Sequence, residues 1–469
     1  MHVIERKVAW KAYTDKQIDE LEKISSDYKD FISDNKTERE CAASAIALAE
    51  AAGYKNLDDL VAAGTKIGPG DRIYSSVRGK SVILVELGER PLTEGMNLLA
   101  AHIDCPRLDV KQNPLFEKEG LAFLDTHYYG GIKKYHWVGL PLALHGVICK
   151  KDGTKVTVKI GENASDPVFF ISDLLIHFSH DLMNKPASEV IEGEILDIIC
   201  GNRPAILDEN DKDNKNPVST YLVQLMADAY GIEEDDLASA ELEVVPAGPA
   251  RDLGLDRSMI LGHGHDDRAC SYPILRAQLE IPHTPTRTAM TILTDKEEIG
   301  SIGATGMESL FIEDTLSEIL YLAGYGDSHL ALRRCLKNTQ ALSCDVAAAY
   351  DPSFPNVFET KNAAFMGRGL VVTKFTGRGG KSGANDADAE FVALVRRVLD
   401  DANVAWQTAE LGRVDAGGGG TVAFTLARYG MQVIDAGVAV LSMHAPWEVI
   451  SKADLYESYR GYVAWLAHA

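Results

Sequence analysis

Thr291-Ile292-Leu293-Thr294-Asp295-Lys296-Glu297-Glu298-Ile299-Gly300 starts as a short apolar run and stops at two consecutive glutamates. Its length and branched side chains predict a buried strand, with the acidic pair where that strand gives way to a loop. Working outward, further strands are predicted at 81–87 and 97–104, then near 287–294, 340–346, 369–376 and 432–441. Helical stretches at 269–280, 306–323, 387–402, 418–429 and 454–468 separate the later ones. Alternation of this kind predicts an α/β fold, a mixed central sheet flanked by helices, with polar sites gathered at strand ends.

At 469 residues the chain exceeds what one hydrophobic core usually supports, so two domains are expected. Between about 107 and 245 the character changes. Asp152-Gly153 separates two β-prone runs, 146–150 and 155–160, a hairpin signal. A helix is predicted near 171–183 and an exposed polar loop at 207–217. The expected division is therefore a domain of 1–106 and 246–469 interrupted by a β-rich domain of 107–245. Thr37 and Glu40 have capping-box spacing ahead of an Ala-rich run that ends near Gly53.

The bulk properties exclude several classes. A formal charge of −22 opposes a nucleic-acid backbone as partner. Seven scattered cysteines with no CxxC pair oppose a thiolate metal site and suit reduced thiols, hence a cytoplasmic setting. The first 16 residues contain no apolar leader core, and no run of about 18 apolar residues suggests a membrane span.

Five motifs carry candidate chemistry. Leu98 to Asp104 is an apolar strand ending in His102-Ile103-Asp104, where a histidine can offer one ring nitrogen to a metal while a carboxylate orients the other. Gly264-His265-Asp266-Asp267-Arg268 sets two carboxylates side by side, one free to face a metal and the other the fold. Glu297 and Glu298 repel one another unless a cation or proton intervenes, and they suit division into a metal ligand and a general base. Asp345 and His444 each end an apolar strand. Singly, each motif has a plain structural reading as a satisfied core histidine, an acidic turn or a helix cap. Jointly, mixed nitrogen and oxygen donors at successive strand ends suit Zn, Mn or Co, with Asp266 as a carboxylate shared by two ions.

Other patterns carry less. Gly418-Gly419-Gly420-Thr421-Val422-Ala423 has dinucleotide-loop spacing but no acidic residue about 20 positions on. Gly377 to Ser382 ends like a phosphate-binding loop, yet Phe375 stands where the first glycine belongs. No G-x-S-x-G elbow occurs.

Taken in order, Lys36-Thr37-Glu38-Arg39-Glu40, Ala101-His102-Ile103-Asp104, Asp266-Asp267, Glu297-Glu298-Ile299-Gly300, Ser343-Cys344-Asp345 and Ser442-Met443-His444-Ala445-Pro446 resemble the aspartyl aminopeptidase and vacuolar aminopeptidase I family of dinuclear zinc exopeptidases, nearly end to end. The resemblance implies that His102 and Asp345 hold one zinc, Glu298 and His444 the other, and that Asp266 bridges them. It implies further that Asp104 orients His102, Glu297 is the general base, and His177 and Lys374 contact substrate, His177 from a neighbouring subunit. It implies peptides as partners, removal of their N-terminal residue (acidic residues among the candidates), and a tetrahedral dodecamer in which the inserted domain acts as lid and contact. Two departures stand out. Ala348 replaces a histidine of acid-selective relatives, and Trp137-Val138-Gly139-Leu140 replaces a Trp-Asp-Arg sequence. Rival expectations are a related carboxypeptidase or deacylase, and a non-catalytic assembly protein with structural metals; the spare acid Glu297 beside Glu298 opposes the second.

Overall fold

The computed structural model describes residues 7–206 and 214–468. Within it, successive residues of the strand Met96–His102 face opposite ways, and both faces are buried: Leu99 and Ala101 join one apolar cluster, Leu98 and Ala100 another. Burial on two sides explains why this segment is continuously apolar rather than alternating. The strand lies at the middle of a nine-stranded sheet, ordered Lys55–Asn56, Arg72–Val77, Ser81–Glu86, Thr288–Thr294, Met96–His102, Gln340–Ser343, Gln432–Gly437, Leu370–Thr373, Trp406–Thr408. The four strands from Thr288–Thr294 to Gln432–Gly437 in that order are mutually parallel.

Helices cover both faces. Asp15–Asp34, Glu38–Ala51, His265–Leu279, Ala389–Asp401 and Lys452–Ala467 pack on one side, while Leu57–Ala63, Phe311–Leu320, His329–Lys337 and Ala423–Arg428 pack on the other. The helix Glu38–Ala51 opens with the expected capping box, the Thr37 hydroxyl accepting from the Glu40 N–H and the Glu40 carboxylate from the Thr37 N–H. A five-stranded sheet, Arg251–Leu253, Met259–Gly262, Glu448–Ser451, Ala439–Leu441 and Ala347–Ala348, completes this part of the chain.

The chain divides into two compact units, one of Met1–Asp104, Ala250–Met443 and Glu448–Ala469, the other of Cys105–Pro249 and His444–Trp447. The second unit is a seven-stranded sheet around Trp137, Leu142, Ile198, Leu242 and Val244. Its strand Ala240–Pro246 pairs with both Arg107–Lys118 and Pro141–Cys149, so the sheet closes on itself and hides edges that would otherwise invite pairing. Asp152-Gly153 does turn a hairpin, joining Pro141–Cys149 to Lys155–Ile160.

Some expected elements differ. No helix spans 171–183; only the single turns Ile176–Phe178 and Leu182–Asn184 form, because Leu174, Leu175, Ile176 and Phe178 find no core of their own to bury them. The predicted strand 432–441 breaks at Val438 into segments of two different sheets. The helix predicted at 418–429 begins only at Ala423, since the preceding glycines disfavour helix. Of the polar loop at 207–217, residues 207–213 lie outside the described residues and Pro217 opens a helix, Pro217–Tyr230. All seven cysteines are free thiols. Among the described residues no helix is long and apolar enough to cross a membrane.

Candidate metal centre

Three neighbouring parallel strands deliver the predicted acids and one histidine to the same end of the nine-stranded sheet. Thr294 pairs with His102 and Ser343 with Ala100, so the next residues along each chain, Glu297, Glu298 and Asp345, leave the sheet beside His102. Asp266 arrives from the first turn of His265–Leu279. Two clusters result, His102 with Asp266 and Glu298, and His102 with Glu297 and Asp345; in each, one nitrogen or oxygen per residue lies within 4.8 Å of the others.

Named partners hold the His102 ring and the backbone of three of the acids. His102 Nδ1 donates to the Asp104 carbonyl at 2.9 Å, with the Asp104 carboxylate 3.3 Å away. That bond turns Nε2 toward Asp266 Oδ1 at 3.0 Å and Asp345 Oδ1 at 4.0 Å. The Asp104 carboxylate has a second role that sequence reading missed. Its two oxygens accept the backbone N–H groups of Glu297 and Glu298, at 3.1 and 3.2 Å. Glu448, also missed, accepts the Asp266 N–H at 3.0 Å. Only its place just after the Met443-His444-Ala445-Pro446 run could have suggested it.

Behind the clusters, His265 is a structural residue. Tyr28 O–H donates to its Nδ1 at 2.7 Å, Nε2 faces the Ile260 carbonyl at 3.2 Å, and burial holds its pKa down at about 3, so it stays neutral. A peptide bond in the cis form joins Asp266 to Asp267. Asp267 is fully buried, and among the described residues no nitrogen or oxygen donor reaches its carboxylate. Gly437 is a glycine for a visible reason: a Cβ there would stand 1.8 Å from the Asp345 carbonyl oxygen.

The electrostatics are those of crowded acids. Burial and the charges of Glu297 and Asp266 push the Asp345 carboxyl well above its usual range. Burial opposes charge on His102, yet its bonds to Asp104 and Asp266 hold it well above the ordinary histidine value. Removing Asp345 and Asp266 from water while packing them together is costly unless a cation intervenes. The donor set, one imidazole and four carboxylates, suits zinc and related divalent ions.

The remaining predicted residues stand elsewhere. His444 is grouped with the second unit, where its Nδ1 donates to the Gly131 carbonyl at 2.9 Å, and neither cluster includes it. His177 occupies the exposed turn Ile176–Phe178 of the second unit. Lys374 follows the strand Leu370–Thr373, exposed, with Nζ 3.8 Å from Asp386 Oδ1.

With this geometry in view, the sequence pattern of the aminopeptidase I zinc metalloprotease (M18) family matches residues 31–465. The chain belongs to the M18 family. It is a metallo-aminopeptidase, a hydrolase. A probable M18 family aminopeptidase 1 of Clostridium acetobutylicum is 53% identical over 462 residues, 98% of each chain. The crystal structure of aminopeptidase I from the same organism superposes with a TM-score of 0.92 at 50% identity, covering 99% of both chains. A structure described as the S. cerevisiae mApe1 dodecamer shares the fold, with a TM-score of 0.76 at 20% identity over 96% of this chain and 97% of that one.

Proposed function

We propose that this M18 aminopeptidase cleaves the first peptide bond with two divalent ions and with Glu297 as general base. The observation that carries the reading is the convergence of His102, Asp266, Glu297, Glu298 and Asp345 from four separate segments into two overlapping clusters. In this reading His102, Asp266, Glu298, Asp345 and His444 hold the ions, His444 by family resemblance. When bound to these residues, zinc would supply Lewis-acid chemistry to the scissile carbonyl and to the attacking water. The Glu297 carboxylate takes a proton from that water as the carbon–oxygen bond forms. It then delivers the proton to the departing amine as the carbon–nitrogen bond breaks. Asp104 serves both halves of the site, holding His102 through Nδ1 and the glutamate turn through its two N–H groups.

For the N-terminal side chain we infer a neutral rather than an acidic preference. Ala348 stands where acid-selective relatives carry histidine, and Lys374 already lies near Asp386. We infer self-association as well, through the second unit, whose segment around His177 exposes Leu175, Ile176, Phe178 and Met183.

Glu297→Gln tests the base. Metal content should be unchanged while turnover of aminoacyl-nitroanilides falls roughly 10²–10⁴-fold; near-normal turnover sinks the assignment. Elemental analysis of the dialysed enzyme should find two ions per chain, and one ion would end the dinuclear reading.

A further inference from the structure

Glu297 and Glu298 share one short turn just beyond the strand Thr288–Thr294. It is one 3-10 turn, Glu297–Ile299, between Lys296 at φ 69° and Gly300 at φ 97°. Ile299 projects into solvent. A non-glycine residue with left-handed backbone persists only where its surroundings enforce it. Asp104 supplies one restraint from inside the site. A second restraint lies outside the clusters.

Ser81, Asp295 and Thr305 form a closed ring of three hydrogen bonds, all buried. The Asp295 N–H donates to Ser81 Oγ at 3.0 Å, the Ser81 hydroxyl donates to the Thr305 carbonyl at 2.6 Å, and the Thr305 hydroxyl donates to Asp295 Oδ2 at 2.5 Å. Ser81 begins the strand Ser81–Glu86, which pairs with Thr288–Thr294, so the ring ties both ends of the 295–305 loop to the rigid sheet. The loop is also packed against itself. Ser301 N–H donates to the Lys296 carbonyl at 2.6 Å, and a Cβ on Gly306 would lie 2.1 Å from the Ser301 carbonyl oxygen.

We propose that Ser81 and Thr305 are positioning residues for catalysis: their hydroxyls latch the 295–305 loop and so aim the Glu297 carboxylate. This rests on the reading of Glu297 as general base. Neither hydroxyl belongs to a metal cluster, and their contribution is geometric. Removing the Thr305 hydroxyl leaves Asp295 Oδ2 with Lys296 Nζ at 3.5 Å and no short donor from Thr305. The carboxylate then competes for water and the loop end is released. Small displacements of a catalytic group are expensive, up to about a hundredfold for roughly 1 Å.

The test uses the full-length, zinc-loaded enzyme. Thr305→Val keeps the branched shape and deletes only the hydroxyl, Thr305→Ser restores the hydroxyl, and Ser81→Ala opens the ring from the other side. Thr305→Val and Ser81→Ala should lower kcat about tenfold or more, with KM within about twofold and zinc content unchanged. Thr305→Ser should recover most of the parent kcat. Amide hydrogen exchange across 296–300 should quicken in the first two variants and not in the third. Parent-like kcat in folded Thr305→Val or Ser81→Ala would overturn the proposal, as would equal damage from Thr305→Val and Thr305→Ser. Should Thr305→Val not fold, Ser81→Ala carries the same readings. Failure of the base reading shows separately, as an active Glu297→Gln, and in that case exchange at 296–300 still decides whether the latch exists.

Discussion

Asp104 shows how much one side chain can be asked to do. Its backbone carbonyl fixes the ring of His102, and its two carboxylate oxygens hold consecutive N–H groups of the glutamate turn. An asparagine in its place offers one acceptor and turns an NH₂ group toward the other N–H. Asp104→Asn should therefore reduce kcat about tenfold to a hundredfold and weaken zinc binding, measured by steady-state kinetics and metal competition; equal kcat and zinc affinity would refute the double role. His102, Glu297, Glu298 and Asp345 were legible as candidates because each lies at or just past the end of an apolar run, and Asp266 because two acids follow a glycine-rich stretch. The supporting contacts were not legible. Glu448 lies 182 positions from Asp266, and nothing in local spacing joins them.

Elements were legible wherever one periodicity dominated. The capping box at Thr37 and the hairpin at Asp152-Gly153 depend on neighbours in sequence, and both form as expected. The segment 171–183 fails for the opposite reason: helical spacing of apolar residues needs a surface to bury them, and the second unit gives it none. A buried helix residue also sets a pH dependence. Asp454, in the first turn of Lys452–Ala467, accepts N–H groups of Gly367 and Gly369 at 2.8 and 2.7 Å, yet burial lifts its pKa from 3.8 to about 7. Its folded pKa exceeds its unfolded one, so the folded state binds the extra proton between pH 4 and 7. Its contribution to stability is then fullest at the acidic end of that window and declines as pH rises, by at most about 1.4 kcal/mol per unit. Asp454→Asn does not titrate. The parent's melting temperature minus the variant's should therefore fall from pH 4.5 to pH 7, and a difference independent of pH would contradict the assignment.

For the molecule as a whole, the unpartnered side chains of the second unit bear on assembly. Ile176, Phe178 and Met183 are 64%, 75% and 69% exposed, on the short turns Ile176–Phe178 and Leu182–Asn184. Exposed apolar groups of this kind are what the proposed self-association would cover. Phe178→Asp should shift the protein toward smaller species in analytical ultracentrifugation while leaving each chain folded by circular dichroism. An unchanged sedimentation profile would remove this segment from the interface.

The amino-acid sequence alone determined the alternating strand and helix order, the strand-end placement of His102, Glu297, Glu298 and Asp345, and the family, because these depend on short-range periodicity and on motifs whose order survives any folding. Tertiary structure decided which ends meet. The break at Val438, the glycine demanded at 437 by the neighbouring Asp345, the ring of Ser81, Asp295 and Thr305, and the closure of the second sheet all join residues distant in the chain. The physical reason is that a hydrogen bond or a close approach is set by where backbones cross, and that crossing is fixed only when the whole core packs at once.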